Sequence, residues 1–428
     1  MTRVRAAVIG GGLSGALQAI HLLRVGAGRV ALIERARTPG RGVAYSTDRP
    51  EHLLNVPARR MSAFPEAPDH FVRWYERRGG DAESFAPRML FGDYVTEQLA
   101  QAGEGLDIVR GDAVDVDGST VLLADGRHIE ADAVVLAPGN LPPATPRGID
   151  PAALGPLWIA DPWAAPIADG LGDEDTVLLL GTGLTAVDAV LTLEAKDFGG
   201  SILALSRRGL APRVHGPREP ICAPQQALPS NCLALLRRVR SRSDEIGWRS
   251  AVHELRTVTQ GVWAAASLDE RRRFLRHLRP WWDVHRHKIA PAVGATVARM
   301  EAERRLRFAA GRILSIAPDG TVAWRPRGGA AAETVRVGRI VNCTGPELDI
   351  VRAGEPLFDA LLARGRIRPD PCRIGLDVDR ECRALSAAGT PADNLYAIGP
   401  VTRGTFWESV AVPDIRVQAQ AVARRMLA

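Results

Sequence analysis

The chain has 428 residues, 46% hydrophobic and 24% charged, with 42 glycines and 30 prolines. That is room for two or three domains, in a composition that fits a loop-rich globular α/β protein and argues against a helical bundle or a disordered chain. The net charge of +6 is spread over scattered arginines with no long basic run, which disfavours nucleic acid as partner, and no run of 18 apolar residues predicts a membrane span.

The first element is the apolar run Arg5–Ile9, of strand length, followed by Gly10-Gly11-Gly12-Leu13-Ser14-Gly15. From Ala16 to Leu23 apolar residues recur at helical spacing, and Arg29–Glu34 reads as a second strand ending in an acid. Strand, glycine turn, helix, strand and acid form a dinucleotide-binding unit. Gly10 makes the tight turn, Gly12 lets the backbone approach a pyrophosphate, and Gly15 lets the helix pack on the strand. The phosphates then meet free N–H groups at a helix N-terminus, and Glu34 suits a ribose diol.

The loop after Glu34 carries Arg35 and Arg41, placed to contact adenosine and pyrophosphate, or simply solvated. Helices are expected over Asp69–Arg77 and Arg88–Gln101, and strands over Leu106–Gly111, Asp112–Asp117 and Thr120–Leu123. Asp125-Gly126-Arg127 marks a hairpin turn, and Ala131–Asn140 is a buried strand ending at Gly139. Three prolines between Leu141 and Ile149 make a linker.

A second unit starts at Thr176. The apolar strand Val177–Leu180 leads into Gly181-Thr182-Gly183-Leu184-Thr185-Ala186, then a helix over Val187–Leu193 and a strand over Ile202–Leu205. This strand ends in Ser206-Arg207-Arg208 where the first ended in an acid. Arginine and serine suit a 2′-phosphate, so NADPH is expected over NADH. Two such units imply two dinucleotides, and FAD with a nicotinamide is the commonest pairing.

Residues 211–305 break the α/β rhythm. Helical patterning over Leu233–Arg242, Trp248–Arg256, Leu268–Leu278 and Ala292–Arg307 reads as an insert that covers the site. Within it, Arg279–Lys288 is rich in aromatic, His and basic residues; it binds an anion, lines the flavin cavity, or presents a solvated basic face. Strands return over Arg312–Trp324, Thr334–Val341 and Asn394–Pro400, the last two ending near Gly345 and Gly399, and a helix over Val412–Met426 closes the chain. The five cysteines form no CxxC pair, which argues against a metal site and a disulfide reductase. No signal-peptide cleavage pattern is evident, so a cytoplasmic location is expected.

Taken in order, these motifs resemble the flavoproteins with two dinucleotide-binding domains. Gly42-Val43-Ala44-Tyr45, Leu54-Asn55-Val56-Pro57, Trp281–Arg286, Asn342–Pro346 and Trp407-Glu408 resemble a bacterial FAD/NAD(P)-binding family laid out like the class B flavin monooxygenases, N-hydroxylases included. The resemblance implies FAD held by Gly10, Gly12, Ser14, Gly15 and Glu34, with Asn55 and Met61 near the isoalloxazine, and NADPH at Gly181, Gly183, Thr185, Arg207 and Arg208. Gly399-Pro400 departs from the Gly-Asp of many such proteins, and a full FxGxxxHxxx(W) motif is missing.

The expected fold is therefore α/β, with two Rossmann-like dinucleotide-binding domains and a helical insert. The expected divisions are 1–145 (FAD), 146–210 (NADPH), 211–305 (insert) and 306–428 (return to the FAD domain). The leading expectation is hydroxylation of a small amine or amino-acid nitrogen through a C4a-hydroperoxyflavin, with molecular oxygen as co-substrate. A dehydrogenase or oxidase of an amine or hydroxy acid is one alternative, and a non-catalytic FAD-binding or redox-sensing protein is another. Arg218, His285 and Arg286 are the candidate substrate anchors. No metal, nucleic acid or membrane partner is expected, and a homo-oligomer is left open.

Overall fold

The computed structural model describes residues 4–216, 223–224 and 227–428. Two sheets organise it. The first runs Arg383–Leu385, Pro391–Ala397, His128–Leu136, Val4–Ile9, Val30–Glu34 and Leu106–Arg110, with Ala113–Asp117 and Thr120–Leu123 branching off. Its centre is parallel. Such strands are covered on both faces, which is why Ala6–Ile9 is an unbroken apolar run. Ala6 and Val8 face one core with the helices Leu13–Arg24, Arg88–Ala100 and Val412–Leu427; Ala7 and Ile9 face the other, with Phe358 and Leu361 of the helix Pro356–Ala363.

The register positions the site. Ile33, Leu136 and Ile9 are level across three adjacent strands, and Ala397 is level with Leu136. The turns that follow, at Gly10, Gly139 and Gly399, therefore share one edge with Glu34. The strand His128–Leu136 does two jobs: it starts as the second arm of the expected hairpin, with Leu122 opposite His128, and continues into the parallel sheet.

The second sheet runs Glu333–Arg336, Thr321–Pro326, Leu306–Ile316, Ser201–Ser206, Thr176–Leu180, Arg339–Asn342 and Trp158–Ile159. Leu180 is level with Leu205 and Asn342, so Gly181, the 206–208 turn and Gly345 gather at its edge. This corrects the expected return to the first sheet at 306. Leu306 pairs in parallel with Ile202, and every strand up to Asn342 stays in the second sheet. The physical reason is that Ser201–Ser206 leaves a free edge when the insert begins, and the chain comes back to fill it. The last insert helix also stops at Ala302, short of the expected Arg307, because Arg304 turns the chain with φ +61°.

Among its described residues the insert has six helices: Cys232–Ile246, Trp248–Arg256, Thr259–Ala265, Leu268–His277, Arg279–Arg286 and Pro291–Ala302. Asn231 caps the first by accepting from Leu233 N and Ala234 N, and Ser267 caps the fourth by accepting from Glu270 N. The Arg279–Arg286 stretch is a helix of its own, begun by Pro280 in its first turn.

Candidate functional site

The first cradle is built by backbone contact. A Cβ on Gly15 would overlap the Gly10 carbonyl oxygen, and one on Gly10, at φ +98°, would overlap that of Ala137. A Cβ on Gly399 would overlap Ser14 Oγ, so the closing strand meets the first helix there. Glu34 is pinned from both sides: Gly11 N donates to its Oε2 (2.6 Å) and Ala36 N to its Oε1 (2.7 Å). The helix Leu13–Arg24 has no side-chain cap and no acid in its first turn. Its leading N–H groups are left for an anion, as a dinucleotide pyrophosphate requires.

The second cradle repeats the design. A Cβ on Gly181 would overlap the Cys343 carbonyl oxygen, whereas one on Gly183 would meet nothing within 4 Å. The helix Leu184–Glu194 is again uncapped and free of acids in its first turn. Ser206 is engaged in the turn itself, since its Oγ lies 2.9 Å from Thr182 Oγ1 and accepts from Gly209 N (2.9 Å). That leaves the two arginines to meet a phosphate. Arg207 is exposed and makes no hydrogen bond or ion pair among the described residues, while Arg208 reaches the Arg276 carbonyl at 3.5 Å. Thr185 is half-buried in the first helical turn.

The remaining sequence candidates take varied places. Arg41 pairs with Asp93, and Arg35 with Glu355 (2.9 Å) and Asp112 (3.6 Å), so both guanidinium groups already have protein partners. Asn55 is half-buried and its carbonyl oxygen lies 3.0 Å from His215 Nε2, tying the insert to the first domain. Met61 is packed into the first core at 2% exposure. Gly139 and Gly345 both have positive φ and open surroundings. Arg218 lies outside the described residues.

Arg286 and His285 part company. Arg286 is buried and donates to Glu408 Oε2 at 2.8 Å, joining the insert to the segment before the last helix. His285 turns to a different neighbour, with its Nδ1 2.7 Å from the Trp281 carbonyl oxygen and its ring against Trp248. Two contacts escaped sequence reasoning. Arg88 grips Asp188 with two hydrogen bonds (2.8 and 2.9 Å), and His52 Nε2 lies 3.2 Å from the Asp188 carbonyl oxygen. Arg88 and His52 belong to the first domain and Asp188 to the fingerprint helix of the second, so this pair fixes one cradle against the other. Only Asp188, a buried acid inside an apolar helix, gave any signal in the sequence.

The junction is strongly cationic. Burial, then Lys288, Arg60 and Arg286, holds His253 down at about 3. Burial brings His215 to about 4, and burial beside Arg286, Arg403 and Arg279 brings His287 to about 3. Burial lowers Arg403 to about 10, where its guanidinium lies over the Trp407 ring, and raises Asp414 to about 6. The three imidazoles stay neutral in the folded chain but protonate when it unfolds, so stability is full above pH 6.5 and falls as pH drops towards 4. Asp414 acts oppositely, favouring the folded state at lower pH, but it is one group against three. The urea midpoint is expected to be lower at about pH 5.5 than at pH 7.5, with a shallower slope in His253→Gln. A flat profile would contradict this reading of the junction.

Among the described residues no group of His, Cys, Asp or Glu is arranged to hold a metal ion, and no helix is long and apolar enough to cross a membrane. Cys232, Cys343, Cys372 and Cys382 are free. Burial pushes all four thiols up, Cys232 and Cys372 to about 11 and Cys382 to about 12, so they stay protonated and unreactive near neutral pH. Cys222 lies outside the described residues.

Residues 7–141 match a family model described as FAD-NAD(P)-binding. No curated protein is matched by the sequence. Solved structures are matched over nearly their whole length. An ornithine N-hydroxylase from Kutzneria sp. 744, captured with reduced FAD, NADP+ and L-ornithine, is 16% identical with a TM-score of 0.67, covering 100% of this chain and 99% of that one. L-lysine 6-monooxygenase from Pseudomonas syringae is 16% identical with a TM-score of 0.67, covering 99% of each chain. Thioredoxin reductase from Lactococcus lactis is 11% identical with a TM-score of 0.57, covering 99% and 98%. The chain thus has the fold of flavoproteins with two dinucleotide-binding domains, and its amino-terminal third carries an FAD/NAD(P)-binding domain.

Proposed function

We propose that the protein is an FAD- and NADPH-dependent monooxygenase that hydroxylates the nitrogen of a small amine or amino acid. The observation that carries this reading is the pair of uncapped glycine cradles at the ends of the parallel strands of the two sheets, with no dithiol among the described residues. Structural neighbours of this fold include both N-hydroxylases and a thioredoxin reductase. Isolated, protonated thiols give a disulfide substrate no nucleophile, which favours the oxygenases.

The residues present fit both cofactors. Bound FAD would supply hydride acceptance from NADPH and the activation of oxygen. The chain's own part is to bind, orient and keep out water. The N-termini of Leu13–Arg24 and Leu184–Glu194 meet the pyrophosphates, and Glu34, held by Gly11 and Ala36, orients a ribose diol. The Arg286–Glu408 and His215–Asn55 contacts seat the insert on the first domain, limiting water at the junction.

Mixing the yellow protein with NADPH or NADH without oxygen, then admitting air with amines present, tests this. Fast bleaching by NADPH, followed by oxygen uptake matched to a hydroxylated amine, is the expected result. Stoichiometric hydrogen peroxide with every amine would overturn it, and bleaching by an amine alone would point to a dehydrogenase or oxidase. The double change Arg207→Ala, Arg208→Ala is expected to raise the KM for NADPH by roughly a hundredfold, from two lost charge-assisted contacts, and to leave NADH nearly unaffected. Equal losses with both coenzymes would remove the 2′-phosphate assignment.

A further inference from the structure

The helical insert forms a half-open cavity of about 480 Å³, a size that suits a small organic ligand. Its wall includes Leu235, Trp248, Trp263, Phe274 and Trp282, and Trp407 closes it from the carboxy-terminal segment. Trp263 stacks on Trp407 with ring centroids 4.6 Å apart, and its Nε1 donates to the Gly404 carbonyl oxygen at 2.8 Å. The cavity therefore abuts the stretch that joins the closing strand of the first sheet to the last helix.

Most polar groups deep in the wall are already engaged, whereas Arg240 has no hydrogen bond or ion pair among the described residues. Glu270 accepts from Cys232 N (2.7 Å) and pairs with Arg273. Arg271 donates to the carbonyl oxygens of Trp263 (3.0 Å) and Ala264 (3.2 Å). Ser243 donates to the Val239 carbonyl oxygen (2.7 Å), and His285 Nδ1 lies 2.7 Å from that of Trp281. Trp282 Nε1 is a fully buried donor with no acceptor among the described residues. The charged groups of the wall are Arg240, Glu270 and Arg271, the last two already held by protein partners, and most of the rest is aromatic or aliphatic, so a zwitterionic amino acid would give up hydration against a mainly apolar surface. A flat, apolar molecule loses nothing, and the aromatic walls favour a ring.

We infer that this cavity holds the apolar body of the substrate, and that the substrate is an aromatic amine, uncharged at neutral pH. The inference rests on the N-hydroxylation reading above and narrows its substrate to a class unlike the diamino acid bound in the Kutzneria enzyme structure. An arylamine needs no carboxylate to hold it, because it carries no ammonium charge. Its nitrogen lone pair is also available without prior loss of a proton.

The test titrates the full-length, flavin-bearing protein with 1-aminonaphthalene and with L-ornithine, following the emission of the wall tryptophans. The expected result is saturable quenching by 1-aminonaphthalene and none by L-ornithine. Val239→Phe, which adds bulk to the wall without adding polarity, should weaken the arylamine by roughly tenfold or more. Val262→Phe, on a different helix, is a second filler and should do the same. No saturable change in the wild type, tight binding of L-ornithine, or undiminished arylamine binding in both fillers would overturn the inference. Bleaching of the same preparation by NADPH reads the proposed function separately. Bleaching without arylamine binding removes the cavity assignment alone, and arylamine binding without bleaching supports the cavity assignment while removing the oxygenase reading.

Discussion

Gly15→Ala is expected to purify without bound flavin and with a large loss of stability. The added methyl would overlap the Gly10 carbonyl oxygen, which is backbone, and press on Val8 in the central strand. Neither neighbour can step aside. Gly10 is itself locked at φ +98° against Ala137, and Val8 is fully buried in the sheet. Overpacking in a core costs about 1–3 kcal/mol and more where backbone must move. Here the movement would push the helix N-terminus away from the strand end and spoil the anion cradle. Gly183→Ala is the contrast. Its methyl would meet no atom within 4 Å, at an ordinary φ of −84°, so the protein should fold and keep its flavin. The methyl would instead occupy the space a pyrophosphate needs, raising the KM for NADPH by roughly tenfold. The ratio of flavin to protein absorbance checks both, and a full flavin complement in Gly15→Ala would sink the packing argument.

The second large effect is expected at Arg88. Its two hydrogen bonds to Asp188 are the centre of the contact between domains, and a third reaches the Leu53 carbonyl oxygen. Both side chains are largely buried, at 13% and 8% exposure. Arg88→Ala would leave the Asp188 carboxylate buried without its partner, a loss of about 3–5 kcal/mol in urea unfolding. Because most of that loss is the stranded charge, Arg88→Ala combined with Asp188→Asn should recover a good part of it. Asp188 sits five residues past Gly183, so the single change should also slow flavin reduction at saturating NADPH. A loss below about 1 kcal/mol, the range of exposed pairs, would mean that the contact does not hold the domains together.

Both cradles were legible because their causes are local. A strand that must be covered on two faces is an apolar run, and a backbone that must touch another backbone is glycine. Gly10, Gly15 and Gly181 are read as easily in one dimension as in three. Glu34 was legible for the same reason, as the strand-end acid of the first unit. The return of Leu306–Asn342 to the second sheet was not, because a strand's residues say that it is buried but not which free edge it will pair with. Met61 illustrates the other limit: a methionine in a loop gives no sign of burial, and only the packed structure shows it in the first core.

Side-chain partners lay furthest from the sequence. Arg286, a candidate substrate anchor, pairs with Glu408, 122 residues away, which nothing in the sequence announces. Arg88 and Asp188 are 100 residues apart, and no spacing rule links them. Near-neighbour order along the chain thus specifies where nucleotide phosphates can sit, since turn geometry and helix ends depend on adjacent residues. Which charges meet, how the insert closes and what its cavity can accept depend on distant segments brought together, and these emerge when the two sheets and the helices pack.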